Sequence, residues 1–174
     1  VENKNQALRE RLIDLISGWK DSGKPTRTGF QSAAEEIILW KKKNRISGLW
    51  KIPPLFVTAT IDDGWGHGMQ LIQLWAKVMG LKVRSLGLLV KPEEIIRKCR
   101  RFNPDFLGMT VLQFDSEDDL VLITRNLPSK TRVIAGGPVF GADPDLAERA
   151  GIYFVAGNAA EFVAFMLNFE PIEK

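Results

Sequence analysis

The chain has 174 residues, 45% of them hydrophobic and 26% charged, with a formal net charge of +3. That suffices for one domain with a small extra layer. The modest charge, with no zinc-finger or RNA-recognition motif, argues against nucleic acid as a partner. No uninterrupted apolar run approaches the roughly eighteen residues of a membrane span, the opening VENKNQ has no signal core, and the single Cys99 excludes an internal disulfide.

These features predict a cytoplasmic protein with no membrane partner. The chain starts at Val1 without a Met, as a domain cut from something longer would.

Two helices are expected first. Leu8, Leu12, Leu15, Ile16 and Trp19 share one helical face, which Gly18, Gly23 and Pro25 then interrupt. A second helix is predicted over 30–46, with Phe30, Ala33, Ala34, Ile37 and Ile38 on its apolar side and Ser47-Gly48 ending it. The basic run Lys41, Lys42, Lys43 and Arg45 near its end reads as a solvated helix terminus, where cations suit the dipole. These helices form a predicted N-terminal layer over 1–52, and 53–174 forms an α/β domain.

From Leu55 the pattern alternates. Short apolar strands are predicted at 55–60, 82–86, 106–110, 132–135 and 152–155, as for strands buried on both faces. Helices are predicted at 68–79, 92–102, 116–127, 144–150 and 159–168. Pro92 and Pro144 suit a first helical turn, and Gly80 and Gly151 suit helix ends. Five strands alternating with five helices predict a parallel, Rossmann-like (flavodoxin-like) sheet covered on both sides. Cys99 falls in an apolar helical pattern and reads as a buried thiol.

In such a fold ligands bind beyond the carboxyl ends of the strands, at the point where strand order reverses. Two loops on that edge stand out: Asp63-Gly64-Trp65-Gly66-His67-Gly68 after the first strand, and Gly136-Gly137-Pro138 after the fourth. Glycine lets backbone approach a bulky ligand. On these residues alone a flavin, a nucleotide phosphate or no ligand fits equally well. The glycines at 64, 66 and 68 fall one residue short of the G-x-G-x-x-G dinucleotide fingerprint. No acid stands near the end of the second strand to hold a ribose. Asp115, Glu117, Asp118 and Asp119 begin a helix and read as dipole-favoured surface charge.

At these loops the sequence resembles the cobalamin-binding domains of methionine synthase, methylmalonyl-CoA mutase and methyltransferase corrinoid proteins, over about Leu55 to Phe169. That family's Asp-x-His-x-x-Gly signature corresponds to Asp63 through Gly68, with Trp65 in the histidine's place. Its Ser-x-Leu corresponds to Thr110-Val111-Leu112, and its Gly-Gly to Gly136-Gly137. The stretches Val83–Ile95 and Asn103–Gly108 resemble the family's second strand and its approach to the third.

The resemblance implies a cobalamin (corrinoid) cofactor touched by Asp63, Gly64, Trp65, Gly66, His67, Gly68, Thr110, Leu112, Gly136, Gly137 and Pro138. In relatives the histidine offers cobalt an imidazole lone pair, and the aspartate orients it. The indole nitrogen has no in-plane lone pair, so Trp65 cannot replace it. Asp63 then accepts from the indole N–H or caps the following helix. Trp65 either fills the hole left by the imidazole or lies flat under the corrin. His67, the sole histidine, reads as a loop residue or a polar contact to the cofactor, with metal ligation as the alternative.

The resemblance implies a carrier or accessory module for a partner enzyme such as a methyltransferase, in a methyl-transfer setting, rather than an enzyme on its own. The alternatives are a sensor that binds haem or corrinoid, or a degenerate interaction module using Trp40 or Trp50. The oligomeric state is left open.

Overall fold

The computed structural model describes residues 2–170. Its elements run α1 (Glu2–Ser22), α2 (Arg27–Asn44), β1 (Leu55–Thr60), α3 (His67–Met79), β2 (Lys82–Gly87), α4 (Pro92–Phe102), β3 (Phe106–Thr110), a 3-10 turn (Phe114–Ser116), α5 (Glu117–Asn126), β4 (Arg132–Gly136), α6 (Val139–Ala142), α7 (Leu146–Arg149), β5 (Phe154–Val155) and α8 (Ala159–Leu167). The five strands form one sheet in the order β2-β1-β3-β4-β5. β1 pairs with β3, β3 with β4 and β4 with β5, all parallel. This is the flavodoxin-like order, whose switch point lies between β1 and β3.

The chain separates into two compact units. One comprises the described residues up to Pro54, Leu71–Lys82 and those from Asn158 on; the other comprises Leu55–Gln70 and Val83–Gly157. In the second unit, Val57, Ala59, Leu107, Met109, Val133 and Ala135 of the sheet join Ile95, Ile96 and Cys99 of α4 and Leu120 and Ile123 of α5 in one apolar core. Alternate β1 residues point to opposite faces, and Phe56 to Thr60 are all buried, so the strand has no wet side. Gly108 lies where any Cβ would run into the Phe56 ring. Burial pushes the Cys99 thiol up to about 12, as expected for an inert core thiol.

In the first unit, Leu8, Leu12 and Ile16 of α1 are buried. The helix runs through Gly18 to Ser22, past the predicted interruption. Trp19 packs edge-on against both Phe30 and Trp75, at 5.0 and 5.6 Å. Thr26 caps α2 by accepting from the Gly29 N–H at 3.2 Å, so this helix begins three residues earlier than predicted.

The basic run is not uniformly solvated. Lys42, Lys43 and Arg45 are exposed, but Lys41 is 7% exposed and its Nζ donates to the Val78 and Lys77 carbonyls at 2.6 and 3.2 Å. Trp50, considered above as a contact residue, is buried and donates to the Phe169 carbonyl at 3.2 Å. Trp40 lies under the Arg11 guanidinium, 4.9 Å from the ring centroid.

Other boundaries move as well: α2 stops at Asn44, two residues short of the prediction, with Arg45 in the left-handed conformation as its cap in place of the expected Ser47-Gly48. The expected helix over 144–150 contracts to Leu146–Arg149, leaving Pro144 in the turn before it. The strand over 152–155 contracts to Phe154–Val155, and the stretch 139–142, expected as loop, is helical.

Candidate functional site

The carboxyl ends of β1, β2, β3 and β4 lead into loops that all belong to the second unit. After β1, Asp63 is 3% exposed and its Oδ1 accepts the backbone N–H groups of Trp65 and Gly66, at 2.8 and 2.9 Å. Its partners are thus loop amides just ahead of α3, not the Trp65 indole. With Asp63 turned inward, the loop presents Trp65 outward at 77% exposure. The hole-filling reading of Trp65 is therefore corrected: the indole packs into no cavity. His67 opens α3, its ring nearly parallel to the indole (13°, centroids 6.2 Å apart).

Thr60, at the end of β1, ties this loop to the next. Its hydroxyl donates to the Asp63 carbonyl at 2.6 Å and accepts the Leu89 N–H at 3.1 Å. Its carbonyl takes the Val90 N–H at 2.7 Å. Leu88 and Leu89 are thereby held on the rim, 42% and 60% exposed. Leu88 lies beside Gly66, and Leu89 beside Gly64.

After β3, Thr110 is half-buried and faces Gly68, where a Cβ would stand 3.7 Å from its hydroxyl oxygen. The missing side chain at 68 leaves that hydroxyl room. Val111 is buried and donates to the Gly136 carbonyl at 2.9 Å. Leu112 and Phe114 are exposed.

After β4, Gly137 has φ +129°, and any Cβ on it would collide with the Val111 carbonyl oxygen. A Cβ on Gly136 would stand 2.9 Å from the Ala156 carbonyl oxygen. The glycine pair thus lets three strand ends crowd together. Pro138 is exposed just beyond it. All eleven residues singled out from the sequence therefore lie on these loops or at the helix and strand ends beside them.

Four residues were missed. Leu88, Leu89 and Phe114 join Trp65 and Leu112 as exposed large apolar side chains along one edge. The signal was an apolar run, Leu86 to Val90, that outlasts its strand, and a lone Phe among polar residues. The fourth is Asp62. Its carboxylate accepts the Leu112 N–H at 3.0 Å, the Gln113 N–H at 2.9 Å and the Ser116 hydroxyl at 2.8 Å, joining the β1 and β3 loops. Its signal was the Asp62-Asp63 doublet, two adjacent acids just after a buried strand.

Of the acidic residues after β3, Glu117 is not simply solvated. Arg149 donates to both its oxygens at 2.9 Å and to Asp143 at 2.7 Å. Those hydrogen bonds hold both carboxyls below their ordinary range.

Among the described residues no group of three or more His, Cys, Asp or Glu could hold a metal ion. No helix of the described residues is long and apolar enough to cross a membrane.

The sequence model of the B12 binding domain matches residues 63–165. No curated protein matches in sequence. Among solved structures, a novel cobalamin-binding protein from Desulfitobacterium hafniense superposes with a TM-score of 0.76 at 21% identity, over 93% of this chain and 79% of its own. The methanol:cobalamin methyltransferase complex MtaBC from Methanosarcina barkeri gives 0.64 at 20% identity, over 95% of this chain and 65% of the other. The monomethylamine corrinoid protein of the same organism gives 0.59 at 20% identity, over 80% of this chain and 64% of its own. The chain thus spans under two-thirds of the length of the last two, and at these identities the likeness establishes the fold. With the family model covering more than half of the residues, the chain belongs to the B12 binding domain family.

Proposed function

We propose that this domain holds a cobalamin-type corrinoid on the carboxyl edge of its sheet, without a histidine from the protein on cobalt, and serves as a carrier or accessory module for a partner enzyme. The observation that carries the reading is the exposed indole of Trp65, in the loop where the motif resemblance would put the ligand histidine, within a rim shared with Leu88, Leu89, Leu112 and Phe114. Burying an indole contributes roughly 2–3 kcal/mol, and folding leaves this one in water. Five large apolar side chains on one edge suit a broad, flat, largely apolar ring.

The other residues fit the same group. Gly68 faces the half-buried Thr110, whose hydroxyl a Cβ there would meet at 3.7 Å, and Gly136 and Gly137 let the strand ends approach one another closely. Thr110 would hydrogen-bond the cofactor's nucleotide tail, and the β1 and β4 glycines would border it. Trp65 would lie against the ring face, excluding water and any protein donor from that side. Asp63, spent on loop amides, would hold the loop rather than tune a ligand. When bound, a corrinoid supplies cobalt chemistry of the methyl-transfer kind. The protein's part is to bind, orient and shield it, and a methyltransferase-type partner would supply substrate.

The test is direct. The purified chain mixed with cobalamin and passed through gel filtration is expected to carry a corrinoid spectrum in the protein fraction. Cobalamin eluting wholly apart from the protein would overturn the proposal. In the loaded protein, Trp65→His is expected to convert the spectrum to a nitrogen-ligated one. An unchanged spectrum would remove Trp65 from the face of the ring.

A further inference from the structure

We infer that Asp62 is a positioning residue for the corrinoid site: a strut that fixes the β3 loop against the β1 loop before any cofactor arrives. The inference rests on the reading of this edge as a corrinoid site and adds to it a determinant of affinity outside the three signatures.

The geometry is specific. One carboxylate takes three donors: the Leu112 and Gln113 N–H groups and the Ser116 hydroxyl. Those donors stand at the start of the Phe114–Ser116 turn and α5, where backbone N–H groups lack intrahelical partners and the dipole favours an anion. Neither local cap residue supplies one: the side chains of Gln113 and Ser116 make no capping bond there. The cap comes instead from Asp62, fifty residues earlier in the chain. Hydrogen bonds to an ionised acceptor are about twice as strong as neutral ones.

The consequence falls on the rim. Asp62 precedes the loop that presents Trp65, and its donors flank Leu112 and Phe114. With the Thr60 hydroxyl joining the β1 and β2 loops, all three apolar segments of the edge are set relative to one another. A site lacking a metal–protein bond gains affinity chiefly by arranging its contacts in advance. Asp62 provides that arrangement without touching the ligand.

The experiment uses the full chain with Asp62→Ala, Asp62→Asn, Phe114→Ala and the Asp62→Ala/Phe114→Ala pair, titrated with cobalamin and followed by amide hydrogen exchange without ligand. Asp62→Ala is expected to speed exchange at Leu112 and Gln113 about tenfold while leaving Met109 unchanged. It is also expected to weaken cobalamin binding about tenfold, the range for groups that orient a site from behind. In the Phe114→Ala background the same change is expected to weaken binding less than about threefold, because the strut acts through that rim.

Should Asp62→Ala fail to fold, the isosteric Asp62→Asn is expected to show the same ordering at about threefold. Wild-type binding matched by the variants, or losses that simply multiply, would overturn the strut alone. No binding by the wild-type chain would overturn the site reading and this inference with it.

Discussion

At the scale of single residues, the rim keeps conformations that folding alone does not favour. Leu89 has φ +52°, in the left-handed region, and is 60% exposed. A branched, Cβ-bearing residue there costs roughly 1–2 kcal/mol, and an exposed leucine recovers little of that by burial. Strain in such a place points to use of the side chain rather than of the backbone. Leu89→Gly should therefore leave the thermal midpoint within about 3 °C of wild type, since relief of strain offsets the added chain entropy. Cobalamin affinity should fall several-fold as the rim loses a side chain. Parallel thermal melts and absorbance titrations check both halves, and a large loss of stability with unchanged affinity would make Leu89 a structural residue. Gly137 is the opposite case, fixed by the Val111 carbonyl and by φ +129° whatever the ligand. The glycine pair is therefore required by the fold with or without a ligand, and the exposed leucines and tryptophan are the features the proposed site adds.

At the scale of elements, Lys41 separates itself from its basic neighbours. Its ammonium sits on the last carbonyls of α3, donating to Lys77 and Val78, where a cation opposes the helix dipole. Burial lowers its pKa, so part of the gain is returned as desolvation. Lys41→Met, which keeps the apolar stem, is expected to destabilise the chain by about 1 kcal/mol, the balance of lost charged hydrogen bonds against relieved desolvation. Lys42→Met, on an exposed side chain, should change little. Denaturant midpoints of the two variants check this, and equal effects would return Lys41 to the solvated face.

The four lysine and arginine side chains look alike in the sequence because periodicity alone does not tell which one meets another helix's end. The central strands β1, β3 and β4 were legible for the converse reason: largely buried, they read as short apolar runs between helical segments. The expectation of burial on both faces fails at the sheet edges, where β2 is exposed or half-buried and β5 half-buried. The Gly136–Asp143 loop was not fully legible, since the single turn of α6 is too short to carry a period. Asp63 was legible as a residue of the loop after β1, but its partners are backbone amides that no sequence names. Asp62 was hidden because its donors lie fifty residues away.

At the scale of the whole molecule, the residues of the proposed site and the rim all fall within Leu55–Gln70 and Val83–Gly157. A ligand that binds only the folded form stabilises it by about 2.7 kcal/mol at a hundredfold excess over its dissociation constant. For a chain of this size that corresponds to a rise of roughly 5–10 °C in the unfolding midpoint. The rise should come with a pattern. Amides in the loops at 61–68, 87–91, 111–116 and 136–143 exchange by local opening, so cobalamin should protect them more than it protects the helices of residues 4–44. If the two units unfold in separate steps, only the step belonging to the sheet should move with ligand concentration. Hydrogen exchange with and without cobalamin, read beside a calorimetric scan, distinguishes these outcomes. Protection concentrated in residues 4–44, or a midpoint that ignores the ligand, would mean that the apolar edge is not where the cofactor lies.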